Sequence, residues 1–146
     1  MQLDIKEQSL ILEGKKYSRK ELMSLSANAT GDNTSSFLLD LYRFLADWFS
    51  DSPFMTVHTS GSTGTPKVLT VRKEQMMQSA RMTCEFLNLH TGDTALLCMP
   101  LQYIAGKMMV VRALVAGLNL ILRTPSGHPL ADVTVPLRFV AMVPLQ

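Results

Sequence analysis

Apolar and polar positions change period several times along this chain, and each change marks an element. Leu3 and Ile5 alternate with polar neighbours, and the apolar stretch Ser9–Leu12 halts at Glu13-Gly14, which predicts a hairpin over residues 3–17. Ser18 with Glu21 three positions on reads as a capping box, so a short helix ending near Asn28 should follow, then a loop over 27–33. From Thr34 or Ser35 the period becomes helical. Leu38, Leu41, Tyr42, Leu45 and Trp48 share one face up to about Phe49, and Asp40, Arg43 and Asp47 share another at pairing distance. Trp48 and Phe49 are expected to anchor this helix to a sheet. Two short strands, 54–57 and 68–71, flank a loop rich in glycine and hydroxyl side chains.

Further on, residues 73–88 have helical spacing with Met77, Ala80, Cys84 and Leu87 inward, and Thr91-Gly92-Asp93 is a turn. Residues 94–99 form a nearly all-apolar run of strand length, as expected of a strand covered on both faces. Pro100 stops it. Ile104–Ala116 is apolar almost all round, relieved only by Lys107 and Arg112, with Gly117 placed as the C′ residue of a buried helix. Strands over 119–123 and 137–143, separated by a loop over 124–129, complete the pattern. Apolar strands alternating with helices predict a layered α/β fold with a mainly parallel sheet.

Composition then sets bounds. The 146 residues are 47% hydrophobic and 18% charged, which suits one globular domain with a substantial core. A net charge of +2, with basic residues scattered among acids, argues against a nucleic-acid partner. The apolar region around 108–122 is broken by Arg112, Gly117 and Asn119, so no membrane span is expected. Cys84 and Cys98 have no Cys-x-x-Cys or His partner pattern and read as buried thiols of a reducing compartment; with acids and no apolar segment at the N-terminus, the cytoplasm is expected. His58, His90 and His128 share no metal-ligand spacing, so no metal site is assigned to protein ligands. The ten methionines are expected mainly as soft core filler.

The chemistry concentrates between His58 and Val68. Thr59-Ser60-Gly61-Ser62-Thr63-Gly64-Thr65-Pro66-Lys67 gathers two glycines, five hydroxyls and one lysine into nine residues. Glycine lets backbone N–H groups converge in conformations closed to other residues, hydroxyls add donors, and Lys67 adds charge. Phosphate is the guest that rewards such a collection. A Ser/Thr/Gly-rich hairpin connection is the plain alternative. The order of residues is neither a Walker A loop nor a dinucleotide fingerprint, since Val68 follows the lysine and no Gly-x-Gly-x-x-Gly is present. No Gly-x-Ser-x-Gly elbow surrounds Ser60, which excludes it as a nucleophile.

Thr59 to Lys67 closely resembles the phosphate-binding signature of the adenylate-forming superfamily of acyl-CoA synthetases, luciferases and peptide-synthetase adenylation domains, departing only at Val68, where that family usually has glycine. A second stretch, Pro100-Leu101-Gln102-Tyr103-Ile104-Ala105-Gly106, resembles the superfamily's next motif at the expected distance. By physics alone it is a strand end, a proline break and a helix start, where open α/β sheets place a ligand crevice. Tyr103 stands at the motif's histidine and Gln102 at its aromatic position, so the neighbouring acid pocket is altered; Tyr103 and Gly106 are its candidate residues.

Within the superfamily the run from Pro100 to Leu114 and the end of the chain from Phe139 to Gln146 are most similar to o-succinylbenzoate–CoA ligases of menaquinone synthesis. That resemblance implies an ATP-dependent acid–thiol ligase: a carboxylic acid activated as an acyl-adenylate with ATP and Mg²⁺, then joined to coenzyme A. It implies that Thr59, Ser60, Gly61, Ser62, Thr63, Gly64 and Lys67 hold the ATP phosphates. It also implies that the chain is the N-terminal part of the AMP-binding domain, inactive alone, with the adenine, ribose and C-terminal lysine motifs elsewhere. An empty loop over 60–66 should be mobile. Two other readings stay open, a non-catalytic α/β phosphate-binding module and a synthetase for a fatty or aryl acid. A homo-oligomer is also left open.

Overall fold

The computed structural model describes residues 1–59, 64–65 and 67–142. A 3₁₀ turn over Ile5–Glu7 leads into strands β1 (Ser9–Leu12) and β2 (Lys15–Ser18), which pair antiparallel. Glu13 and Gly14 both adopt positive φ, 49° and 85°, the pattern of a two-residue hairpin turn whose twist matches its strands. The turn is tied to the next layer of chain. Glu13 accepts from the Leu122 N–H at 2.8 Å and from the Arg123 guanidinium at 3.1 Å, and the Asn119 side chain accepts from the Gly14 N–H at 2.8 Å.

Helix α1 (Arg19–Asn28) starts on the expected capping box of Ser18 and Glu21. Helix α2 (Ser36–Trp48) is capped by Ser35, whose side chain accepts from the Leu38 N–H. Its buried stripe is Phe37, Leu41, Phe44, Leu45 and Trp48, so the inward face turns slightly from the expected one and leaves Leu38 and Tyr42 half-buried. Trp48 is fully buried and donates from Nε1 to Gln8 Oε1 at 2.8 Å, which locks the N-terminal segment to α2. Two cations close the C-terminal end of α2: Arg19 donates to the Phe49 carbonyl at 3.3 Å and Lys73 Nζ to the Ser50 carbonyl at 3.0 Å. That contact accounts for a lysine that is 2% exposed.

Strands β3 (Phe54–His58) and β4 (Val68–Arg72) form a hairpin of their own outside the main sheet. Helix α3 (Lys73–Phe86) buries Met76, Met77, Ala80 and Cys84. It ends earlier than the expected Asn88, and Leu87 lies outside the core. Asn88 turns left-handed at φ 54°, and the N–H groups of Asn88 and Leu89 return to the carbonyls of Glu85 at 3.1 Å and Cys84 at 2.8 Å. This reversal directs Leu89 inward, 4% exposed, in place of Leu87, 38% exposed.

The remaining elements are β5 (Thr94–Leu97), α4 (Ile104–Ala116), β6 (Asn119–Leu122) and β7 (Phe139–Val140). The five-stranded sheet has the order β2-β1-β6-β5-β7 and is parallel except for the β1–β2 hairpin. Helix α4 packs on β1, β5 and β6 and is covered by α3. Gly117, at φ 71°, ends it as expected.

Alternation along β5 and β6 separates two cores. Ala95, Leu97 and Leu120 join the main helical cluster, whereas Leu96, Cys98 and Ile121 form a second cluster with Val133, Leu137 and Val140. The all-apolar run is thus explained by cover on both sides. The last strand is shorter than the expected 137–143 because its ladder comprises only the pairs Ala95–Phe139 and Leu96–Val140; Val143 lies outside the described residues. Among the described residues no helix is long and apolar enough to cross a membrane.

Candidate active site

The loop at the centre of the sequence reading hangs on the β3–β4 hairpin. Five consecutive pairs, from Phe54 with Arg72 to His58 with Val68, set its register. Met55 and Val57 point into the core while β4 stays largely exposed, so the hairpin is fastened through one strand and one face. At its tip the Thr59 N–H donates to the Lys67 carbonyl at 3.0 Å, which closes the root of the loop. Gly64 has φ 83°, a left-handed conformation that favours glycine. Thr59 is half-buried, and Gly64, Thr65 and Lys67 are exposed. Ser60, Gly61, Ser62, Thr63 and Pro66 lie outside the described residues, as does most of the segment expected to be mobile over 60–66.

The second motif comes to the same place. After β5 the chain turns at Pro100, and Tyr103 makes an isolated parallel backbone bridge to His58, the last residue of β3. Two stretches separated by roughly forty residues therefore meet at the loop's root. Tyr103 also occupies the position before the first turn of α4 without a side-chain cap, and it is partly buried. Gly106 is buried, and a Cβ placed there would run into the Pro100 carbonyl, its carbon 2.9 Å away. The glycine allows α4 to seat directly on the Pro100 turn, which is a packing reason for its presence.

Sequence reasoning gave Lys107 no role beyond relieving an apolar helix. In the structure Lys107 Nζ donates to the Leu101 carbonyl at 2.6 Å, and its ammonium lies 5.9 Å from the centre of the Phe44 ring. Burial lowers its pKa from the usual lysine range, partly offset by the Asp47 and Asp40 carboxylates. One of two cations in an otherwise apolar helix, in the first turn after the proline break and its loop, is the available signal.

Other candidates fall elsewhere. A cleft of about 640 Å³ is lined in part by Lys6, Arg19, Phe49, Pro53, Arg72 and Lys73, at the base of the hairpin and the opposite end from the loop. His90 and His128 are exposed and His58 is half-buried; among the described residues no three His, Cys, Asp or Glu side chains form a group that could hold a metal ion. Cys84 and Cys98 are buried and outside any disulfide, as expected.

Comparison with known proteins places the fold and the family. The chain matches 36% of positions with an acyl-CoA synthetase (AMP-forming)/AMP-acid ligase II-like protein from Dyadobacter fermentans, at a TM-score of 0.72, over 84% of this chain and 35% of that one. It superposes on the O-succinylbenzoate Coenzyme A Synthetase (MenE) of Bacillus subtilis, a structure in complex with ATP and magnesium, at a TM-score of 0.51 and 16% identity. That second match covers 86% of this chain and 44% of the other and speaks to fold alone. The chain thus spans about a third and somewhat under half of these two lengths. No curated protein matches it. The α/β arrangement with its mostly parallel sheet is that of the N-terminal domain of AMP-forming acyl-CoA synthetases. A family model described as AMP-binding enzyme matches residues 3–144, and the chain belongs to that family.

Proposed function

We propose that this chain supplies the triphosphate-holding part of an ATP-dependent acid–CoA ligase, with o-succinylbenzoate the first candidate acid. One observation carries the reading: the glycine-rich loop is closed at its root by Thr59 and Lys67 and is bridged there, through His58 and Tyr103, to the start of α4. Membership of the AMP-binding enzyme family supports ATP as the guest.

In the reaction, a substrate carboxylate attacks the α-phosphorus of ATP and pyrophosphate leaves. Thr59, Ser60, Ser62, Thr63 and the amides of Gly61 and Gly64 are assigned to the β- and γ-phosphates, and Lys67 to their charge. Their contribution is orientation and electrostatic stabilisation, with no covalent step in the loop. Donors aimed at developing charge are each worth about 3 kcal/mol of barrier in comparable sites. Tyr103 and Gly106 are assigned to the wall of the acid pocket. Acid selection and transfer to coenzyme A are assigned to the longer architecture of the relatives, and the 146 residues alone are expected to give no pyrophosphate exchange. A second reading, a synthetase for another acid such as a fatty or aryl one, fits the acyl-CoA synthetase-like relative on the same mechanism.

The test is calorimetric and NMR titration of the chain with MgATP and with magnesium tripolyphosphate. Saturable binding is expected, weakened at least about tenfold by Lys67→Met with the urea midpoint unchanged, since one charge-assisted contact accounts for that much. Absence of binding by the unaltered chain, or equal binding by Lys67→Met, would overturn the proposal.

A further inference from the structure

We infer that Lys107 is a positioning residue for the phosphate site, pinning the 100–103 turn so that Tyr103 stays bridged to the root of the glycine-rich loop. The inference rests on the phosphate-binding reading above. It concerns a side chain that no motif assigns.

Three contacts converge on one short turn. The Lys107 ammonium donates to the Leu101 carbonyl at 2.6 Å, the shortest contact the side chain makes and a charge-assisted one. Its backbone N–H donates to the Tyr103 carbonyl at 3.3 Å. One residue earlier, Gly106 seats α4 against the Pro100 carbonyl, leaving no room for a Cβ between them. The side chain is partly buried, passes over the Phe44 ring, and has no ion-pair partner among the described residues. An ammonium in such surroundings is held by the carbonyl it bonds, so the Leu101 carbonyl is fixed in turn. From Leu101 the connection runs two residues to Tyr103, across the bridge to His58, and one residue further to Thr59, whose N–H closes the loop on Lys67. Loosening the turn would widen the loop's root, at Thr59 and Lys67, without substituting any residue assigned to phosphate.

The experiment uses the full 146-residue chain with MgATP as the probe, comparing Lys107→Met and Lys107→Arg with the unaltered protein. Two readouts are taken, the affinity and the hydrogen-exchange rates of the His58 and Tyr103 amides. Lys107→Met is expected to lower affinity about tenfold and to speed exchange at both amides, leaving β5 and β6 amides unchanged; Lys107→Arg, which keeps the charge, should recover most of both. A purely structural lysine would instead slow or speed exchange throughout α4 and β5. Unchanged affinity with unchanged exchange at His58 and Tyr103 would overturn the inference. Should Lys107→Met fail to fold, Lys107→Gln, which drops the charge and is one bond shorter, decides on the same two readouts. If the unaltered chain binds no MgATP, the phosphate reading fails, while the exchange rates still report whether Lys107 holds the turn.

Discussion

The parallel sheet with α4 and the β3–β4 hairpin are built from similar residue types and treated in opposite ways. Leu96, Leu97 and Leu120 are fully buried in the sheet, whereas Val68 and Leu69 on β4 are 62% and 43% exposed. The sheet is covered on both faces, by α4 on one and by Val133 and Leu137 on the other. The hairpin has one inward face, Met55 and Val57, and one end fastened at Pro53, whose carbonyl accepts from the Lys73 N–H at 2.9 Å. Its tip, the glycine-rich loop, is the part to which binding is assigned. On the proposed function, stability and binding fall to different pieces: the buried layer sets the frame, and the half-fastened ribbon carries the loop.

The strongest way to break this division is to trim an apolar side chain to alanine in each half. Leu120→Ala removes a fully buried side chain from the centre of the sheet and should cost about 3 kcal/mol, within the range for core leucines. Val68→Ala removes an exposed one and should stay within about 0.5 kcal/mol. Urea unfolding of both variants measures the gap, and similar losses would show that the hairpin belongs to the cooperative core.

The same division explains how much of the molecule is legible in its sequence. Apolar runs such as 94–97 and 104–116 declare themselves because burial on all sides demands apolar residues throughout. The capping box at Ser18 and the C′ glycine at 117 are legible because each answers a local need of one helix end. The end of α3 is not, since Asn88 rather than glycine takes the left-handed turn and exchanges Leu87 for Leu89 in the core. Strand order is also silent: nothing local says that β1 lies beside β6 or that β3 and β4 leave the sheet to pair alone. At the site, the loop is legible as composition and order, and the second motif as a strand end and helix start. Their meeting through His58 and Tyr103, and the grip of Lys107 on Leu101, depend on tertiary placement that no spacing encodes.

A smaller loss should follow from cutting the strut between the N-terminal segment and α2. Trp48→Phe keeps most of the buried ring next to Phe44 and removes the Nε1 donor. Gln8, 1% exposed, then holds an unpaired side-chain oxygen, although its amide still donates to the Gln2 carbonyl at 3.0 Å. A buried acceptor left without a donor costs about 1–3 kcal/mol. Thermal unfolding read by circular dichroism measures it. Because the strut lies in the frame, MgATP affinity should not change; a change would mean that the frame and the hairpin are coupled more tightly than their contacts suggest.

The smallest effect sharpens the comparison by loosening the frame without any contact to the loop. Burial pushes the thiol pKa of Cys84 above its ordinary 9.0, with Arg112 opposing and Glu85 assisting, and burial does the same for Cys98. Each folded thiol therefore keeps its proton to higher pH than the unfolded one, so the native state binds more protons than the unfolded state above about pH 9. Stability from these groups is fully present below that pH and is lost as pH rises through the folded values. Tyr42, raised by burial and by Tyr17, acts in the same direction, while Lys73 and Lys107, both lowered by burial, act against it. Isolating the thiol needs a difference measurement: Cys84→Ala should start less stable at pH 7, because it leaves a small cavity, and decline less steeply between pH 8 and 10 than the unaltered chain. Parallel slopes would mean that Cys84 ionises as easily folded as unfolded, and that the seam between α3 and α4 admits water.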